Sequence, residues 1–269
     1  MNVRMIVTDL DGTLFQPDKS ITDRAVRALE AASDAGIVVM AATGRSIVDV
    51  NGLLPDVLGE LAVCSNGAVV YAARDDSVVL SRPIDPAVIG AFIDELQPVA
   101  PHTRFATLVN HGYDLLPGPG YLDLMADGNH GRTRQSLTEV GLTHLASQPA
   151  VKLIARSDEV RLDELFELCE QAAHVGVLPT TSGVPFIEIS AAGVSKATTI
   201  EMLAAERGIS REQVVVLGDS ANDVEMIRWA GHGVAMANAV PAVREVADEV
   251  APANTDDGVA VVIERLLGM

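Results

Sequence analysis

Residues 5–14 read Met5-Ile6-Val7-Thr8-Asp9-Leu10-Asp11-Gly12-Thr13-Leu14, an apolar run that ends on two aspartates and a glycine. Far downstream, Val214-Val215-Val216-Leu217 runs into Gly218-Asp219-Ser220-Ala221-Asn222-Asp223. Each run is short enough for a strand, and each delivers an acidic cluster at its C-terminal end. The carboxyl ends of strands are where open α/β sheets place ligands. Aspartates converging on that edge form an oxygen-rich site suited to Mg²⁺, with one carboxylate left to attack an electrophile.

A single Asp-x-Asp-Gly after a strand is also an ordinary turn. Two further elements lie between the acidic clusters. Gly36-Ile37-Val38-Val39-Met40-Ala41-Ala42 ends in Thr43-Gly44-Arg45, and Gly193-Val194-Ser195-Lys196-Ala197 opens a helical pattern. A hydroxyl, open backbone N–H groups and a lysine can hold two faces of a phosphoryl group. Four such elements, in this order and each at a strand end or helix start, are far more specific than any one alone.

The set Asp-Leu-Asp-Gly-Thr-Leu, Thr-Gly-Arg, Gly-Val-Ser-Lys and Gly-Asp-x-x-Asn-Asp-x-x-Met resembles the haloacid dehalogenase superfamily of phosphotransferases. It most resembles the Cof-type phosphatases, in which a large cap is inserted between the second and third motifs. The resemblance spans the chain, and the motif-bearing ends are more specific than the middle. It implies that Asp9 is the nucleophile and a Mg²⁺ ligand. Asp11 protonates the leaving oxygen and then activates water, while its backbone carbonyl ligates the metal. Asp219 completes the metal set Asp9, Asp11 and Asp219. Leu10, Thr43, Gly44, Lys196 and Asn222 are the expected phosphate or substrate contacts. A dehalogenase expels halide and needs no proton donor at position 11, so Asp11 argues for phosphoryl transfer. Ser220, Ala197 and Ala237 depart from the commoner Asn, Gly and Gly, and none of these changes removes a charged catalytic group. Arg45, Asn66, Asp223 and Asn238 each stay open between ligand contact and structural brace, turn or cap.

Composition narrows the class. The 269 residues are 48% hydrophobic, enough for a substantial core and against disorder. No apolar run approaches the roughly 18 residues that span a bilayer, and the N-terminus reads straight into the first motif without a secretory pattern. A cytoplasmic protein without membrane partners is expected. The formal net charge of −18, with no Lys/Arg stripe, argues against nucleic acid. It also repels a phosphate ester, so the metal, Lys196 and local N–H groups have to make the site attractive. Cys64 and Cys169 are too few for a disulfide framework and are expected to pack as small hydrophobes. His102, His111, His130, His144, His174 and His232 lack metal-ligand spacing.

The expected fold is α/β: a doubly wound, Rossmann-like parallel-sheet core with an inserted, smaller α/β cap. Core residues are assigned to 1–82 and 186–269, and cap residues to 83–185. Strands are expected at 4–8, 37–42, 61–64, 214–217 and 233–236, with a hairpin at 68–71 and 78–82. Core helices are expected at 22–35, 46–54, 196–207, 223–230, 241–247 and 258–267. In the cap, helices at 86–96 and 158–173 accompany strands at 104–109 and 151–155, and a strand at 185–189 is expected to return to the core. Residues 117–129 read as an irregular loop with Tyr121 on the substrate side. The leading function is a Mg²⁺-dependent phosphatase of a small phosphorylated metabolite, working through an aspartyl phosphate. A phosphomutase or other phosphotransferase of the same fold is the alternative. A catalytically silent ligand-binding protein is disfavoured by the complete set Asp9, Asp11, Lys196 and Asp219.

Overall fold

A computed structural model describes residues 2–126 and 132–269. Its strands are β1 (Met5–Thr8), β2 (Val38–Ala42), β3 (Ala62–Cys64), β4 (Val69–Ala72), β5 (Ser77–Ser81), β6 (Arg104–Val109), β7 (Asp114–Pro117), β8 (Ala150–Arg156), β9 (Val177–Thr180), β10 (Ile187–Ala191), β11 (Val214–Gly218), β12 (His232–Met236) and β13 (Glu249–Ala251). They form two sheets. The first runs β13-β12-β11-β1-β2-β3-β4-β5, parallel from β13 to β3 and antiparallel where the β4–β5 hairpin extends it. The second runs β7-β6-β8-β10-β9, antiparallel throughout.

Continuous apolar runs make the central strands because both of their faces are covered. Ile6, Val215 and Leu217 pack on one face with Ala25 and Leu29 of helix Asp23–Asp34 and Val259 and Ile263 of helix Gly258–Leu267. Met5, Val7, Val214 and Val216 pack on the other with Ile200 and Leu203 of helix Lys196–Glu206 and Met226 and Ile227 of helix Val224–Trp229. The core is doubly wound, as expected. Local signals set the helix ends: the Thr22 hydroxyl accepts from the Ala25 N–H at 3.1 Å, and Gly36 turns the chain out at φ 80°. The helix expected over 46–54 is only Ile47–Val50, because Asn51-Gly52 breaks it with Gly52 at φ 76°.

The second sheet corrects two expectations. The strand expected to return to the core is β10, and it pairs with β8 and β9 instead. Ile187 and Ile189 are apolar on alternate positions, and they pack with Ile89, Phe92, Leu153 and Leu165 in a core of its own. The chain re-enters the first sheet only after helix Lys196–Glu206, so residues up to 191 contribute to the second. Strands β7 and β9 each carry a proline, Pro117 and Pro179, which argues against a strand in sequence. Both lie at sheet edges, where a missing donor costs little. Tyr121 opens a single helical turn, Tyr121–Leu124, and is fully buried in the apolar core, so it is not a residue of an exposed substrate-facing loop. A large ring gains more from that burial than from facing water. The remainder of the expected loop, 127–129, and His130 lie outside the described residues. Among the described residues, no helix is long and apolar enough to cross a membrane.

Candidate active site

Strands β11, β1, β2 and β3 lie side by side, and each hands one polar residue to the same sheet edge: Asp219, Asp9, Thr43 and Asn66 respectively. The turn after β1 depends on Gly12. Its φ is 79°, and a Cβ there would stand 2.3 Å from Asp219 Oδ2. Glycine therefore lets the Asp219 carboxylate close onto the first motif. The Thr13 hydroxyl donates to Asp219 Oδ1 at 2.8 Å, tying the two acidic clusters together.

Lys196 is 1% exposed, and its Nζ donates to Asp9 Oδ1 and Asp223 Oδ1, both at 2.7 Å. Ser195 caps the helix that begins at Lys196 and points that ammonium inward. Burial alone would lower the Lys196 pKa; Asp223 and Asp9 outweigh it and hold the ammonium above its usual range. Burial pushes the Asp9 carboxyl well up; Lys196 opposes that push, and Asp223 and Asp219 add to it. The Asp219 carboxyl rises to about 6, first by burial and then by the Asp223 charge. Asp223 has a structural role in any case: its Oδ2 accepts from the N–H groups of Asp219 and Ser220 at 2.9 and 3.0 Å.

Ligand oxygens of Asp9, Asp219 and Asp223 lie within 4.8 Å of one another, the one such metal-sized grouping of His, Cys, Asp or Glu among the described residues. Three buried carboxylates face one ammonium, so a divalent cation would restore the charge balance. Hard oxygen donors fit Mg²⁺ in kind. Asp9, Asp219 and Asp223 are the carboxylates that could hold it. The Asp11 side chain stands outside this group. It is half-exposed, and Arg45 grips both of its oxygens at 2.5 Å. Arg45 is thus a brace in this structure.

A cavity of about 370 Å³ opens in front of these residues, lined by Asp9, Asp11, Thr43, Gly44, Arg45 and Asn222. Its opposite wall comes from the second sheet and its loops, with Leu108, Lys152, Ser182, Phe186 and Glu188. Lys19 also reaches the rim. Asn222 donates to Asn66 Oδ1 at 2.9 Å, and Asn66 sits in a left-handed turn at φ 55°. Asn238 braces the first motif by donating to the Gly12 carbonyl at 2.7 Å. Leu10 has its side chain buried in the core, and its carbonyl closes the turn with the Thr13 and Phe15 N–H groups. Cys64 is buried, and its thiol is pushed up to about 12 by that burial, which leaves it unreactive.

Reading the sequence missed the Lys152–Glu188 pair. The signal was present: each charge stands alone inside an apolar strand, Val151-Lys152-Leu153 and Ile187-Glu188-Ile189. A buried charge of that kind needs a partner.

Sequence and structure comparisons agree with the geometry. A family model of haloacid dehalogenase-like hydrolases matches residues 6–263. The chain is 27% identical over 260 residues to 5-amino-6-(5-phospho-D-ribitylamino)uracil phosphatase YitU of Bacillus subtilis, covering 95% of this chain and 94% of that protein. It is 31% identical over 264 residues to a phosphoglycolate phosphatase of Natronomonas pharaonis, covering 98% and 97% respectively. The solved haloacid dehalogenase-superfamily phosphatase BT1666 from Bacteroides thetaiotaomicron shares the fold, with a TM-score of 0.82 at 23% identity over 99% of this chain and 96% of that one. With nearly its whole length matched and the aspartates of both end motifs gathered at one sheet edge, this chain belongs to the haloacid dehalogenase-like hydrolases.

Proposed function

We infer that the protein is a Mg²⁺-dependent phosphatase of a small phosphorylated metabolite, acting through an aspartyl phosphate on Asp9. One observation carries this reading: Asp9 and Asp11 open onto the same 370 Å³ cavity, with Lys196 buried directly behind Asp9. Asp9 attacks phosphorus, and the bond to the ester oxygen breaks. Asp11 gives that oxygen a proton and later takes one from the water that cleaves the acyl phosphate. Both Asp11 oxygens are held by Arg45 here, so proton delivery requires Asp11 to leave that pair. Lys196 neutralises the Asp9 carboxylate and limits its repulsion of an anionic ester. The Thr43 hydroxyl accepts from the Arg45 N–H at 3.1 Å, which leaves its own proton for a phosphoryl oxygen. Asp9 and Asp219, with the Asp11 carbonyl, would hold a divalent cation, which would supply positive charge against the phosphoryl oxygens.

The segment assigned to 83–185, extended to the end of β10, serves in this reading as the cap that closes the cavity and selects the leaving group. The two curated relatives act on a phosphorylated ribitylaminouracil and on phosphoglycolate by name. These support a small metabolite and leave its identity to experiment. A cytoplasmic location belongs to the same proposal, in keeping with two buried free cysteines. The deciding experiment is a screen of phosphorylated metabolites for phosphate release, with Mg²⁺ and with excess chelator. Release that depends on Mg²⁺ and disappears in Asp9→Asn supports the reading. Full activity in chelator refutes the metal assignment, and turnover only with a bisphosphate activator shows a mutase.

A further inference from the structure

The turn Thr43-Gly44-Arg45 presents three backbone carbonyls, and their partners differ in origin. The Thr43 carbonyl accepts from the Asn66 N–H at 3.0 Å, and the Arg45 carbonyl from the Ser65 N–H at 2.8 Å. Both partners belong to the first sheet's own connections. The middle carbonyl, that of Gly44, accepts instead from Lys152 Nζ on β8 of the second sheet, at 2.5 Å. The peptide plane from Gly44 to Arg45 is therefore clamped at both ends, with its oxygen on Lys152 and its N–H on the Thr43 hydroxyl.

Lys152 reaches the turn from a buried place, being 4% exposed. Glu188 on β10 neutralises it through a close ion pair and accepts as well from the Ser182 hydroxyl. Burial would raise the Glu188 carboxyl, and Lys152 with these hydrogen bonds overrides that, holding it below its ordinary range. Gly44 suits this contact, since a Cβ there would lie 3.1 Å from Asn66 Oδ1 and 3.3 Å from Glu188 Oε1. Two charges taken from water and committed to one carbonyl of the opposite unit are a costly way to add stability alone.

We propose that Lys152, neutralised by Glu188, is a positioning residue that couples docking of the second sheet to the phosphoryl-binding turn. It does so by fixing the Gly44–Arg45 peptide and, through it, the Thr43 hydroxyl. The proposal rests on the phosphatase reading of the same site. Acting on the turn and not on the leaving group, Lys152 contributes equally to every ester.

The test compares wild type with Lys152→Met/Glu188→Gln, which removes both charges at nearly constant shape. The readouts are calorimetric affinity for inorganic phosphate with Mg²⁺, and kcat/KM on p-nitrophenyl phosphate and on glycerol phosphate. Losing one charge-assisted hydrogen bond and the geometry it holds should weaken phosphate binding about tenfold and lower kcat/KM about 10- to 100-fold on both esters alike. A folded double variant with wild-type affinity and turnover overturns the proposal. A loss on glycerol phosphate alone also overturns it, because it makes Lys152 a leaving-group contact. If the double variant does not fold, Lys152→Arg decides, since its fork keeps Glu188 but draws away from Gly44. Weaker phosphate binding in that variant supports the coupling, and unchanged binding makes the pair a staple only. Wild type that binds phosphate but hydrolyses no ester, with binding weakened in the double variant, refutes the phosphatase reading and keeps this one. Wild type that binds no phosphate overturns both.

Discussion

At the residue scale, Asp9 and Asp11 carry similar carboxyls in opposite settings. Asp9 is buried against Lys196, and Asp11 is half-exposed against Arg45. In the proposed mechanism Asp9→Asn removes the attacking oxygen, so no phosphoenzyme should be trapped with any ester. Asp11→Asn keeps the nucleophile and should slow alkyl phosphates by about 10²–10⁴-fold. It should slow the first step less for an aryl phosphate with a good leaving group, so that phosphoenzyme accumulates; rapid-quench trapping measures both. Lys196→Met leaves Asp9 and Asp223 without their shared cation and should cost about 3–5 kcal/mol, read as a lower denaturation midpoint in chelator. The sign of the pH effect follows from Asp219. Its folded value, about 6, lies above the ordinary 3.8, so the folded metal-free protein takes up a proton that the unfolded chain does not. Metal-free stability from this group should therefore rise as pH falls from above 6 toward 4. Stabilisation by Mg²⁺, which competes with that proton, should shrink over the same window. Thermal melts with and without Mg²⁺ across pH 4–8 check both directions.

At the element scale, the turn that follows β1 is the most constrained piece of backbone in the site. Gly12→Ala places a methyl where Asp219 stands and asks for φ 79° from a residue that disfavours it. It should fold less stably by about 1–3 kcal/mol and lose Mg²⁺-dependent turnover well beyond what the stability loss explains. Isothermal Mg²⁺ titration beside a melt separates the two effects. Legibility at this scale followed burial. The strands β1, β2 and β11, apolar on both faces, announced themselves, and Thr22 and Gly36 marked the ends of a helix. Strands β7 and β9 did not, because Pro117 and Pro179 argue against pairing unless one knows that each lies at an edge. The ion pair across β8 and β10 was equally hidden. Lys152 and Glu188 are 36 residues apart, and only the antiparallel pairing of their strands, which sets Glu188 opposite Ile154, makes them diagonal neighbours on one face.

At the scale of the whole molecule, the cavity belongs to two units. One wall is the carboxyl edge of the first sheet, and the other is Leu108, Ser182, Phe186 and their neighbours. Chemistry and selectivity should therefore separate. Phe186→Ala and Ser182→Ala should change the ranking of phosphorylated metabolites by about tenfold or more, while turnover of a small aryl phosphate changes severalfold at most. Equal losses on all esters would assign this wall to support alone. Tyr121, buried behind the wall, should act through stability: Tyr121→Phe should leave substrate ranking as it is.

The sequence by itself determined which residues gather at the first sheet's edge. Asp9, Asp11, Thr43, Lys196 and Asp219 sit in short motifs whose local backbone, a strand end or a capped helix start, already dictates where they point. It determined the doubly wound core for the same reason, since burial on both faces leaves an unbroken apolar run. Only the tertiary structure decided which sheet takes β10, that Arg45 holds Asp11, that Asp223 serves Lys196 and two backbone donors, and that Lys152 crosses to Gly44. Each of those depends on contacts between residues distant in the chain, made by side chains whose partner is chosen by packing. A local motif cannot encode a partner that another sheet supplies.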